Sequence, residues 1–232
     1  MVDLAELERQ ALRVYGRFAV EIVEGYGFCP WAQDAREQGH VRRQVVLGAP
    51  PEVDAVVDHA VAMADAPEVA IGLLIFPQLA LDRAPFSRWA GRVREGYEQR
   101  VGRGNGLVAM ADFHPNASAD MDAPERLVPF IRRSPDPTIQ VVRMSALESV
   151  RKSETQGTAF MDPADIDLAA IAAAGAEPAV APLHQRVAKN NLRTLEREGL
   201  PAVEERLRDI HQDRRRSYAA LGLPPAPWEE EG

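Results

Sequence analysis

The sequence predicts an α/β or α+β protein, a layered sandwich with a short sheet of about four strands and a C-terminal helical layer. Three observations carry this. Segments of strand character alternate with segments of helical period over roughly the first 145 residues. The run Val69 to Phe76 is continuously apolar, as expected of a strand covered on both faces. From Asp162 onward every periodic segment reads as helix.

Taken in order, residues 3–24 place Leu4, Leu7, Leu12, Tyr15, Phe18 and Ile22 at helical spacing behind an acidic start at Asp3 and Glu6. Gly25 and Gly27 should close this helix, since glycine takes the left-handed conformation at helix ends. A short helix over 31–38 follows Pro30, which puts Cys29 at or near its N-cap. Residues 41–47 read as a strand, 52–65 as a helix and 69–76 as the central strand. Residues 85–100 carry Phe86, Trp89, Val93 and Tyr97 on one helical face before Gly102, Gly104 and Gly106 break it. Strands over 107–115 and 139–144 then flank about 25 residues of turn-rich chain, far beyond the typical ~4–6-residue connection. Helices are expected over 146–152, from Asp162 to Gly175, and over 182–198 and 201–221, with a poorly ordered tail from Pro224. The organisation is one domain: a core over 1–160, a helical layer over 161–222 packed on it, and a disordered tail over 223–232. Right-handed crossovers make the first three strands parallel if they are neighbours, whereas a ferredoxin-like order alternates them, and both orders remain open.

The 232 residues carry a net charge of -8, which argues against nucleic acid as the main partner, because such proteins present a basic surface that releases counterions. No apolar run is long enough to span a membrane, and the first residues lack a secretion pattern. With Cys29 as the single cysteine, no internal disulfide can form and a reducing cytoplasm is the expected setting. Nothing in the sequence specifies an oligomeric state.

The long connection is where a site is expected. His114 ends a strand, where ligands gather in layered α/β proteins, and a histidine there suits acid/base work or a fold-stabilising hydrogen bond. Arg132, Arg133 and Ser134 precede a rigid Pro135-Asp136-Pro137 and could clamp a carboxylate or phosphate, with Arg143 as a further donor, or pair with nearby acids. Cys29 at a helix start would be a lowered-pKa nucleophile or ligand, or else a small buried apolar residue. A Cys29–His114 pair, oriented by Asp112 or Asp120, would satisfy the logic of an activated nucleophile. No recognisable metal-ligand spacing is present, so no metal residues are assigned and no cofactor is named.

Gly27-Phe28-Cys29-Pro30-Trp31-Ala32, Val41-Arg42, Phe113-His114-Pro115, Arg133-Ser134-Pro135 with Pro137, Val142-Arg143 and Asn190-Asn191-Leu192 with Leu195 together resemble a mostly bacterial family catalogued only as a domain of unknown function, number fourteen-fifteen. The resemblance spans about residues 20–200 and implies no assigned activity. It implies recurrent positions at Cys29, Pro30, His114, Pro115, Arg133, Ser134, Pro135, Pro137 and Arg143. This chain departs from the pattern at Arg132, where asparagine is usual, at Trp31, where phenylalanine is usual, and at Gln140, where histidine is common.

The leading expectation is a cytoplasmic enzyme acting on a small anionic metabolite. Cys29 and His114 would be catalytic, and Arg133, Ser134, Arg143 and Arg42 would bind the anion. The alternative is a non-catalytic binding or assembly module in which Cys29 and His114 are structural. A third reading is a metal or redox protein centred on Cys29.

Overall fold

The computed structural model describes residues 2–48, 50–102, 108–145 and 183–229. Helix α1 (Leu4–Arg17) continues into a π-helix (Phe18–Glu24), and then come α2 (Ala32–Glu37), β1 (Val41–Val45), α3 (Val53–Asp65), β2 (Ile71–Ile75) and α4 (Arg83–Val101). The second half supplies β3 (Val108–Phe113), α5 (Pro124–Ile131), β4 (Thr138–Arg143), α6 (Leu183–Glu198), α7 (Leu200–Ala220) and a 3-10 turn at Pro227–Glu229. The helices expected over 146–152 and from Asp162 to Gly175 lie outside the described residues.

The four strands lie in the order β1-β2-β4-β3, with β1 parallel to β2 and β4 antiparallel to both of its neighbours. The first three strands therefore run in one direction, but β4 enters between β2 and β3. This order is neither a row of three parallel neighbours nor a ferredoxin-like alternation. Every residue of β2 is buried, as its unbroken apolar run predicts. Helices α3 and α4 cover one face through Val57, Met63, Trp89 and Val93 against Leu74, Ile139 and Val141. Gly72 permits the close approach of α3, since a Cβ there would collide with the Met63 side chain. The other face is covered by α1, the π-helix, α5, α6 and α7.

Two expectations need correction. The stretch between β3 and β4 is not irregular throughout, because α5 lies within it and buries Leu127, Phe130 and Ile131. Pro129 inside that helix hides it from a sequence reading, and the buried face compensates for the missing amide donor. The chain after Leu223 is not a loose tail as far as Glu229: Arg214 donates to the Glu229 carboxylate at 2.8 Å, and Trp228 packs against His114 at 5.1 Å between ring centroids.

The first helix also departs from its expected form. After Arg17 the winding loosens, so that Gly25 and Phe28 donate to carbonyls five residues back at Val20 and Val23. Gly25 is required here for space: a Cβ would lie 2.7 Å from the Glu21 carbonyl oxygen. Wide turns of this kind are rare and concentrate at functional sites. This one overhangs the sheet.

A cavity between the sheet and the π-helix

A cavity of about 570 Å³ lies on the face of the sheet covered by the π-helix. Strand alternation and register build its floor. Arg43, Leu73, Gln140 and Ala111 form one row across all four strands. Val41, Ile71, Val142 and Ala109 form the next row. Two alanines on β3 leave that side of the floor shallow, and small residues at Ala19, Ala32 and Ala188 keep the roof from filling the space. The roof is otherwise apolar, with Phe18 and Val23 from the π-helix and Phe28 and Trp31 from the turn that follows it.

The polar groups in this apolar shell decide what it can hold. Arg43 reaches toward α1, where a Cβ on Gly16 would lie 3.6 Å from its guanidinium, and its Nε is buried with no hydrogen-bond partner. Arg132, just past α5, stacks over the Phe113 ring at 5.5 Å. Burial lowers its pKa against the pull of Asp112, and it remains a cation. Neither arginine makes an ion pair among the described residues. Asn191 on α6 is 4 % exposed, and its Oδ1 has no partner. Glu24 is the one acidic residue lining the cavity among the described residues, and the Arg36 guanidinium already engages both its oxygens at 2.8 and 3.0 Å. The Tyr15 phenol is held un-ionised by burial. Two half-buried guanidiniums thus line the cavity with no ion-pair partner among the described residues.

Cys29 lines the same cavity, half-buried and free. It precedes the N-cap of α2, which is Trp31. The Trp31 and Ala32 amides favour thiolate, but burial outweighs them and pushes the thiol up to about 11. At neutral pH Cys29 is therefore a thiol, the opposite of the lowered pKa that a helix start suggested. Iodoacetamide at neutral pH should accordingly modify Cys29 about a hundredfold more slowly in the native protein than in the urea-unfolded chain. Comparable rates in the two states would show that burial does not raise the native thiol above its ordinary pKa.

His114 sits elsewhere. Its Nε2–H donates to the Leu81 carbonyl at 2.9 Å, its Nδ1 accepts from the Asn116 amide at 3.1 Å, and its ring lies against Phe86 and Trp228. Both nitrogens are thus committed to backbone, and burial lowers its pKa and keeps it neutral. It does not line the cavity, and it shares no partner with Cys29. Arg133 donates to the Pro115 carbonyl at 2.9 Å, and Ser134 to the Asp136 carbonyl at 2.6 Å. Arg143 projects from the opposite face of the sheet to the Ala66 and Val69 carbonyls at the end of α3. Arg42 pairs with Glu68 at the surface at 2.6 Å. Of the six expected site residues, only Cys29 lines the cavity.

The residues that a sequence reading of the site missed are Arg43, Asn191 and Gln140, and Arg132 rather than Arg133 is the arginine turned inward. For Arg43 the signal was present: Val41, Arg43 and Val45 share one face of β1, so an arginine occupies an apolar period. Among the described residues no group of three or more His, Cys, Asp or Glu side chains could hold a metal ion. No described helix is long and apolar enough to cross a membrane.

Fold and cavity define a layered α/β protein with a largely apolar chamber lined by two arginines that make no ion pair among the described residues. The chain belongs to the family described as "Protein of unknown function (DUF1415)", whose match covers residues 15–166. That span takes in every described strand, the π-helix and Cys29. No curated protein and no solved structure matches the chain.

Proposed function

We propose that this protein binds a small organic anion with an apolar body in the cavity beneath the π-helix. One observation carries the reading: Arg43 and Arg132 line an apolar chamber, and neither makes an ion pair among the described residues. A guanidinium partly withdrawn from water without an ion pair is disfavoured, and an incoming anion supplies the missing partner. The volume supports the same reading, since ligand cavities commonly span ~300–1,000 Å³ and are mostly apolar with a few placed polar groups. Asn191 adds a buried amide in need of a partner, and Cys29 adds a thiol at the wall. In the enzyme form of this reading, Cys29 is the side chain that meets the ligand. His114 serves the fold, as in the binding-module alternative. A reducing cytoplasm is the setting we assign, which suits a single free thiol.

The test is a thermal-shift screen of small organic acids against the native protein and an Arg43→Met/Arg132→Met variant. At least one class of acids should raise the native midpoint and leave the variant unmoved. The unliganded variant should melt no lower than the native protein, because the substitutions remove cations that lack partners. Equal stabilisation of both proteins by every acid would sink the reading.

A further inference from the structure

Resting on that reading, we infer that the ligand is an α,ω-dicarboxylic acid, an apolar body with a carboxylate at each end, one held by Arg43 and the other by Arg132. The sheet order separates the two guanidiniums. Arg43 stands on β1, at one edge, while Arg132 lies over Phe113 of β3, at the other edge, with β2 and β4 between them. Three strand spacings put the two edges roughly 14 Å apart at the backbone. One carboxylate cannot lie against both cations over such a span unless both side chains fold to the centre, where Leu73 and Val142 form an apolar floor.

Charge balance points the same way. Glu24 is spent on Arg36, so among the described residues neither Arg43 nor Arg132 has an ion-pair partner in the cavity. A monoanion would leave one of the two guanidiniums without an ion pair, and a dianion pairs both. Each end offers a single guanidinium fork, which matches the two oxygens of a carboxylate, whereas a phosphate dianion calls for more donors. Between the ends the walls are apolar, from Ile71 and Leu73 below to Phe18 and Val23 above, which selects against a polar linker. Polar side chains among the described residues lining the space besides these arginines and the Glu24–Arg36 pair are Gln140 on the floor, Asn191 and His184 on α6, and Tyr15 on α1.

Calorimetric titration of the full-length protein with the straight-chain series from pentanedioate to dodecanedioate, set against the monocarboxylates from pentanoate to dodecanoate, tests this. The best dicarboxylate should bind at least about tenfold more tightly than the monocarboxylate of equal length, equivalent to ~1.4 kcal/mol. Arg43→Met and Arg132→Met should each bring it down to the monocarboxylate level, and the double variant should abolish it. Monocarboxylates that bind as tightly as dicarboxylates, with a loss in only one arginine variant, would overturn the two-headed ligand and leave the anion reading standing. Absence of binding by every dicarboxylate would also overturn it. Equal binding by the native protein and the double variant would overturn both.

Discussion

Replacing Asp136 with alanine is expected to lower the unfolding free energy by about 3–5 kcal/mol, because it strands a buried arginine. Asp136 has no exposed surface, and its two oxygens are both used, one by Arg214 Nε at 2.7 Å and the other by the Tyr218 hydroxyl at 2.7 Å. Arg214 is itself 3 % exposed and passes the connection on to Glu229 at 2.8 Å and to the Pro77 carbonyl at 3.3 Å. Its guanidinium also stacks over the Tyr218 ring at 4.4 Å. One carboxylate thus ties the β3–β4 connection to α7 and, through Arg214, to the C-terminal turn. Without it Arg214 keeps only Glu229 as a counter-charge, and Tyr218 loses its acceptor. The Asp136→Ala/Arg214→Met protein should regain most of the loss, since the cost lies in the unpaired charge rather than in the missing contact. Urea midpoints of the two variants and the native protein decide it. A loss in Asp136→Ala below the ~1 kcal/mol typical of surface pairs would mean that water reaches Arg214 and the network is not a buried one.

This network also shows where a sequence reading stops. The elements were legible because their signals are local: the fully buried β2, the periodic faces of α3 and α4, the proline and glycine punctuation around β1. What was not legible is the partner of each charged residue. The Pro135-Asp136-Pro137 run reads as a stiff surface loop, but its aspartate is buried because Arg214, 78 residues away, arrives to meet it. The tail reads as disordered by composition, yet Trp228 and Glu229 dock because that same arginine and His114 wait for them. At the cavity the difficulty was one of parity. Arg42 and Arg43 are neighbours in sequence and opposites in space, as are Arg132 and Arg133, and only one of each pair turns inward. For β1 the alternation with Val41 and Val45 settles the side in principle. For Arg132 it does not, because the residue follows the end of a helix that a proline had hidden.

Acid should destabilise the protein well before its carboxylates titrate, through His211. This side chain lies on α7 beside Arg133, with Nε2–H aimed at the Arg133 carbonyl at 3.5 Å. Burial, followed by the positive charges of Arg133, Arg214 and Arg215, pushes its pKa down to about 3. In the unfolded chain the ordinary value is ~6.5, so below that pH the unfolded state binds a proton that the native state refuses. The stabilisation is therefore complete above the unfolded value and is lost as the pH falls toward about 3. The slope approaches ~1.4 kcal/mol per pH unit, so lowering the pH from about 6.5 to about 4.5 should cost roughly 2 kcal/mol through this one histidine. His114, lowered chiefly by burial, adds in the same direction. The carboxylates of Asp209 and Asp213, lowered by hydrogen bonds from Arg17 and Arg13, act in the same sense at more acid pH. Urea midpoints across this range should fall less steeply for His211→Gln, whose amide can still donate to the Arg133 carbonyl without titrating. Parallel curves for the two proteins would remove His211 from the account. Arg133→Gln provides the complementary measurement: with one of the three guanidiniums gone, His211 should accept its proton at higher pH and the loss on acidification should shrink. That result would give Arg133 an electrostatic role at the seam between α5 and α7, on a different side chain from the arginine that faces the cavity.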